Sequence, residues 1–199
     1  MTTLVASLGH APAVVLEGLE AIIRSGQVIN KICLLYTKRM KRQVLMLKLA
    51  LRYGGFESIN LEVYELPFEE LKSEEECLKF RYKLYEVVNK EKEVKLLISG
   101  GRKSNIVDFV LVALAFGIKE VYHVIPKRGS EIYFTKAFAD SVNLELYTDK
   151  EPPKHIIDQI LNICNPDLRN IHLIRIPLPT IKEEFREALR KDLSSLTYP

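Results

Sequence analysis

A chain of 199 residues, 47% hydrophobic and 28% charged, without tryptophan, has length for one ordinary domain with a real core and excludes two full ones. Its 29 Lys and Arg against 26 Asp and Glu give a formal net charge of +3, which excludes a general polycationic coat and leaves anion binding to local clusters such as 38–42 and 101–103. Cys33, Cys77 and Cys164 are odd in number and form no CxxC pair; with neither a basic leader nor a run near the roughly 20 apolar residues that cross a bilayer, a cytoplasmic protein without disulfide, zinc or membrane partner is expected.

Leu4 to Leu8 reads as a first strand, and Pro12 then opens a helix in which Val15, Leu19, Ile22 and Ile23 recur at helical spacing up to Ser25-Gly26. Ile32 to Tyr36 is a continuous apolar run of strand length, and Gln43 to Tyr53 a second helix closed by Gly54-Gly55. Asn60 to Tyr64 predicts a third strand, Glu74 to Asn89 a helix with a thin apolar face, and Val94 to Ser99 a fourth strand. Ile106, Val107, Val110, Leu111 and Leu114 are expected to form the buried stripe of a fourth helix ending at Gly117, and Val121 to Ile125 a fifth strand. Beyond Pro126-Lys127-Arg128-Gly129 the order is less regular: a strand at Leu144 to Tyr147, a helix at His155 to Ile163, a strand at Ile171 to Ile176 and a terminal helix from Thr180 are expected. The alternation predicts an α/β fold, a Rossmann-like, mostly parallel sheet with helices on both faces and a small C-terminal α/β extension. The expected organisation is one domain over 1–199, with its core at about 1–125 and the extension at about 126–199.

In an open parallel sheet, ligands collect where strands end in loops, near the point at which strand order reverses. Three strand ends are polar here: Gly9-His10-Ala11-Pro12 after the first, Thr37-Lys38-Arg39 after the second, and Gly100-Gly101-Arg102-Lys103-Ser104 after the fourth. Paired glycines let backbone approach a ligand, a helix start presents unpaired N–H groups, and Arg102 and Lys103 add positive charge, an arrangement for holding phosphate. GxxxxGK[ST] is absent and Gly9 stands alone where a dinucleotide fold has GxGxxG, which argues against a P-loop NTPase or an NAD enzyme. Cys33 falls in a strand run and Cys77 and Cys164 on helix faces, so packing is their expected role. The histidines show no metal spacing, and Ser7 is expected to point into the strand packing.

The stretch Ala6 to Glu17 (A-S-L-G-H-A-P-A-V-V-L-E), followed by Ser99-Gly100-Gly101-Arg102-Lys103, resembles CRISPR-associated Rossmann-fold (CARF) proteins, closest to the stand-alone archaeal ring nucleases. That family opens with a strand and a loop like T-L-G-T-S-P, and carries G-G-R-K after its fourth strand; the likeness spans about the first 125 residues. It implies a homodimer whose two-fold axis matches a cyclic oligoadenylate, with cyclic tetra-adenylate (cA4) as the ligand. It further implies a metal-independent ring nuclease that switches off type III CRISPR antiviral signalling, needing no cofactor and no stable DNA partner. In such enzymes a ribose 2′-hydroxyl attacks the adjacent phosphorus and leaves 2′,3′-cyclic phosphate ends.

Carried onto this chain, the family pattern puts Gly9, His10, Ala11 and Pro12 on one phosphate loop, Thr37 and Lys38 on a second, and Gly100, Gly101, Arg102, Lys103 and Ser104 on a third. Lys103 and Arg102 are the expected electrostatic catalysts. His10-Ala11 replaces the family's Thr-Ser, so the hydroxyl often linked to cleavage is missing at position 11. Either His10, with an ordinary pKa of about 6.5, serves as acid and base, or the protein binds the ring without cutting it, as a sensor or adaptor. Arg169, Arg175 and Lys182 are a second group of cations, each expected on a solvated face, and the resemblance implies that a basic residue of this region closes over the ligand. A nucleic-acid-binding regulator is a third reading, weakened by the lack of a helix-turn-helix or zinc finger; the R-x(4–6)-H pattern of an RNase effector is also missing.

Overall fold

Five strands run parallel: β1 (Thr2–Ser7), β2 (Lys31–Thr37), β3 (Asn60–Leu66), β4 (Glu93–Leu97) and β5 (Val121–Pro126). A sixth, β6 (Ile171–Arg175), lies antiparallel on β5, and the sheet order is β3-β2-β1-β4-β5-β6. The computed structural model describes residues 1–101, 103–126, 142–148, 150–164 and 171–195, with the backbone alone for Lys103 and Pro126.

Neighbouring residues of the central strands face opposite ways, and both faces are buried. Leu4, Ala6, Leu8, Ile32, Leu34 and Leu97 pack with helices α1 (Ala13–Arg24), α2 (Lys41–Tyr53) and α5 (Lys154–Cys164). Val5, Cys33, Leu35, Leu96 and Ile98 pack with α3 (Glu74–Lys90), α4 (Lys103–Phe116) and α6 (Glu183–Ser194). Double coverage is why these strands read as unbroken apolar runs. The chain winds outward from β1 through β2 to β3 with its helices on one face, then crosses to β4 and β5 with its helices on the other. Right-handed crossovers permit only that arrangement, and it places a switch point between β1 and β4.

The α/β reading holds from β1 to β5, with ends moved by one or two residues. Pro12 sits one place before its expected position, as the cap of α1 in helical conformation. Helix α3 starts on a capping box: the Ser73 hydroxyl accepts from the Glu76 amide at 3.2 Å, and Glu76 Oε2 accepts from the Ser73 amide at 2.9 Å. The strand expected at Leu144 to Tyr147 is instead a 3₁₀ turn. The edge of β5 is taken by β6, while Leu144 is buried against the α1–α2 layer and the turn closes on itself. Helix α6 begins at Glu183, after extended backbone at Lys182, and not at Thr180.

The amino-terminal edge of the sheet is held by paired charges. Lys31 lies 2.5 Å from Glu62 and 2.7 Å from Glu91, and Thr3 Oγ1 donates to Glu91 at 2.6 Å. These bonds raise the Lys31 pKa, while the Lys31 ammonium lowers the Glu62 carboxyl. Lys95 is buried and paired with Glu120. Among the described residues no helix is long and apolar enough to cross a membrane.

Glu17 on α1 is 3% exposed, and burial raises its carboxyl to about 7. The folded chain therefore holds a proton that the unfolded chain releases between about pH 4.5 and 7. That contribution to stability is full below the unfolded value and is lost as pH rises through the folded one. Glu17→Gln removes it: thermal melts should show the variant more stable than wild type at pH 8, by a margin on the order of 3 kcal/mol, and equal to it near pH 4.5. The same shift at both pH values would contradict this.

Candidate functional site

At the switch point the loop after β1 and the loop after β4 are pressed together. A Cβ on Gly100 would overlap the Ser7 carbonyl oxygen, and one on Gly9 would lie 2.9 Å from the Gly101 amide nitrogen. Ser7, buried at 1% exposure, donates from Oγ to the Gly100 carbonyl at 2.7 Å, so its hydroxyl is structural. Gly101 has φ +85° and turns the chain into α4; a side chain there would meet Asn105 Nδ2 at 2.5 Å. Ser99 ties this exit to β5: its Oγ is 3.1 Å from His123 Nδ1 and accepts from the Val124 amide. The paired glycines thus serve loop-to-loop packing as well as any approach to a ligand.

Beside this seam lies a cavity of about 300 Å³. The first loop supplies Leu8, Gly9 and His10, the end of β2 supplies Thr37 and Met40, the β3–α3 loop supplies Glu70 and Leu71, and the fourth loop with α4 supplies Gly101 and Asn105. Helices α1 and α4 both begin at this edge, after parallel strands, so their positive ends face the same side.

Of the residues expected from sequence, Gly9, His10, Thr37 and Gly101 line the cavity. Gly100 lies beneath the seam. Lys38 is exposed directly after Thr37, and its amide donates to the Phe68 carbonyl at 3.1 Å, pinning the loop that carries Glu70. Ala11 and Pro12 do not line the cavity; Pro12 is buried as the α1 cap. Ser104 is exposed, 3.5 Å from Asn105 Oδ1. Lys103 is the first residue of α4, and Arg102 lies outside the described residues.

Arg175 does not join the site. It is opposite Tyr122 on β5, toward the amino-terminal edge, and its Nε donates to the Lys119 carbonyl at 3.1 Å. Lys182 is exposed before α6, 3.9 Å from Glu184, and Arg169 is outside the described residues. The cysteine thiols are packing groups: burial pushes Cys33 to about 11 and Cys164 to about 12. Cys33 does lie with Glu62 and Glu91, their ligand atoms within 4.8 Å of one another, but Lys31 already bonds both carboxylates.

Leu8, Met40, Glu70, Leu71 and Asn105 are not among the residues expected at the site. Asn105 had a signal, a polar residue buried in the first turn of an apolar helix. Glu70 had none, since it belongs to a charged run that reads as solvated surface. Its carboxylate is held by Arg39 on Oε1 and by Lys72, 3.1 Å from Oε2.

Against known proteins, residues 11–199 match the family described as CRISPR-associated protein NE0113. The chain is 29% identical over 134 residues to the CRISPR system ring nuclease SSO2081 of Saccharolobus solfataricus, covering 64% of this chain and 73% of that protein. Its fold is similar to that of Enterococcus italicus Csm6 bound to cyclic hexa-2′-fluoro-hexa-dAMP, with a TM-score of 0.53 at 15% identity over 95% of this chain; it spans 44% of the Csm6 chain. The likeness to CARF proteins and ring nucleases read from the two glycine loops is borne out. With a match that takes in all but residues 1–10, the chain belongs to the CRISPR-associated protein NE0113 family.

Proposed function

We propose that this protein binds cyclic tetra-adenylate on the two-fold axis of a homodimer and cleaves it without a metal, ending a type III CRISPR signal. The observation that carries the reading is the glycine seam at the β1/β4 switch point, with the starts of α1 and α4 and the Gly100 to Ser104 segment gathered on one edge. The ring-nuclease name of the S. solfataricus relative and the cyclic hexanucleotide bound to the Csm6 relative support it. The whole of 1–199 acts as one CARF-like unit in this reading, supported by β6, which comes from beyond residue 126 and completes the same sheet.

The step is an in-line displacement. The ribose 2′-oxygen forms a bond to phosphorus, the P–O5′ bond breaks, and the products end in a 2′,3′-cyclic phosphate and a 5′-hydroxyl. His10, at the cavity wall, is assigned to take the 2′-hydroxyl proton and to return one to the leaving oxygen. Arg102 and Lys103, with the first amides of α4, are assigned to the charge that builds on the phosphoryl oxygens, and the Gly9 to Pro12 and Thr37-Lys38 loops to holding neighbouring phosphates. Ala11 brings no hydroxyl to this loop, and that observation favours the second reading, a sensor that binds the ring and leaves it intact.

Dimerisation has its own support in α4. The stripe expected to be buried is not the buried face of α4: Phe109, Val112, Ala113 and Ala115 are fully buried, while Val107 is 57% exposed and Val110, Leu111 and Leu114 continue a partly exposed apolar stripe at i, i+3, i+4 and i+7. Such a stripe fits a second copy of the same helix, and with the two-fold axis running along the helices the two Lys103 ends would meet.

Incubation with cyclic tetra-adenylate in EDTA, followed by mass spectrometry, should show linear adenylates with cyclic phosphate ends. Lys103→Ala should lower turnover by 100-fold or more, on the scale of one lost charge-stabilising donor, while Lys92→Ala on the opposite edge leaves it unchanged. Tight binding with no product after many hours selects the sensor reading. In light scattering, wild type should run at twice its 22.9 kDa chain mass and Leu111→Asp at the monomer mass; an unchanged mass for the variant removes α4 from the interface.

A further inference from the structure

Strand β4 leaves the sheet through a side chain. Its last main-chain rung on β5 runs from the Ile98 amide to the Tyr122 carbonyl at 2.9 Å. The next amide of β5 that faces it, that of Val124, donates to the Ser99 hydroxyl, so an Oγ stands where an evenly spaced parallel ladder would offer a carbonyl. The β4 backbone is thereby released just before Gly100, whose carbonyl takes the Ser7 hydroxyl at 2.7 Å, and the buried Val124 amide still has its partner. A serine hydroxyl turns about its own torsions and replaces a rung only where a second group fixes it. That group is His123, whose Nδ1 lies 3.1 Å from the same oxygen. The contact is a bond in either tautomer of the ring, because a hydroxyl both donates and accepts.

Resting on the cleavage reading above, we propose that His123 is a positioning residue for that reaction: by fixing the Ser99 hydroxyl it sets where the β4 exit presents Arg102 and Lys103 to the phosphate. His123 shares a face of β5 with Val121, the face that packs with α4, and does not line the cavity; it acts through Ser99. The exit has two anchors. Ser7 holds it from the β1 side at Gly100, and the Ser99–His123 pair holds it from the β5 side one residue earlier. Gly101 then turns at φ +85° into α4. Glycine gives that turn little stiffness of its own, so the direction of the chain beyond it is inherited from the two anchors. Without the second, the exit can pivot about the first. Stabilisation of charge in a transition state depends steeply on placement, about 100-fold for a shift near 1 Å. The affinity for a polyanion, spread over several phosphates, depends on it far less. The signature of a positioning role is therefore lost turnover with binding retained.

The test measures single-turnover cleavage of cyclic tetra-adenylate, and its binding by isothermal titration, in wild type, His123→Ala, His123→Asn, Ser99→Ala and the double alanine variant. Asparagine places an amide, donor or acceptor, close to where Nδ1 lies and keeps the bond to Ser99. His123→Ala should cut about 10-fold or more slowly while binding the ring within about 3-fold of wild type, and His123→Asn should recover most of the rate. The double variant should be no slower than the slower single, because two members of one unit do not add. Amide exchange followed by NMR reads the anchor without any ligand: Val124 should exchange about 10-fold faster in His123→Ala and near the wild-type rate in His123→Asn. Ser99→Ala, which deletes one oxygen, repeats both measurements should His123→Ala not fold. Wild-type turnover in the alanine variants, equal losses in His123→Ala and His123→Asn, or additive losses in the double variant overturns the proposal. Should wild type leave the ring intact or fail to bind it, the cleavage reading fails by itself. Val124 exchange then decides: a rise in His123→Ala that His123→Asn reverses sustains His123 as the anchor of the exit, and no rise ends both.

Discussion

The ligand edge of this fold depends on one close approach, the passage of the β4 exit over the end of β1. The Gly100 backbone occupies the space a side chain would need next to the Ser7 carbonyl, and the Ser7 hydroxyl donates to the Gly100 carbonyl. Because the two backbones touch, Gly101 has to turn the chain through positive φ to escape along α4. The starts of α1 and α4, on opposite faces of the sheet, then come to the same edge, so both positive helix ends address one side of the molecule. Any side chain at position 100 would push the loops apart and separate those helix starts.

Charge is divided between the two edges of the sheet. At the amino-terminal edge, Lys31, Glu62, Glu91 and Thr3 form a mutually bonded knot, and Lys95 is closed off by Glu120. Breaking such a pair leaves an uncompensated buried charge, so these residues guard the fold. At the carboxyl-terminal edge Lys38 stays in solvent beside glycine loops. Arg175 belongs to the first group despite its sign, since it caps the Lys119 carbonyl at the far end of β5.

Strands β1 to β5 and helices α1 to α4 were legible in the sequence because local signals agreed: unbroken apolar runs, helical spacing, and stops at Gly26, Gly54 and Gly117. Leu144 to Tyr147 misled because its alternation says strand, while packing of Leu144 against the α1–α2 layer decides its place. Half of the cavity was legible for the same reason as the helices, since Gly9, His10, Thr37 and Gly101 follow directly from strand ends. The other half was not. Glu70 and Leu71 are brought over the cavity by the Lys38 amide bonding Phe68 and by the Ser73 capping box, contacts between segments that share no motif.

That second half changes what the site can do. A polyanion held only by glycine loops and cations would be recognised by charge and spacing, and any cyclic oligonucleotide of the right size would satisfy them. The β2 and β3 loops add a carboxylate and an apolar wall, and α4 adds the buried Asn105 amide, none of which improves the grip on phosphate. The two halves are held differently: the β1 and β4 loops, to which the proposed function assigns the phosphate, by the glycine seam, and the loops after β2 and β3 by hydrogen bonds and ion pairs at the surface. The second set can change without disturbing the first, because neither the Ser7–Gly100 contact nor the turn at Gly101 involves it. The loops over the cavity can therefore vary while the close approach at the switch point stays as it is.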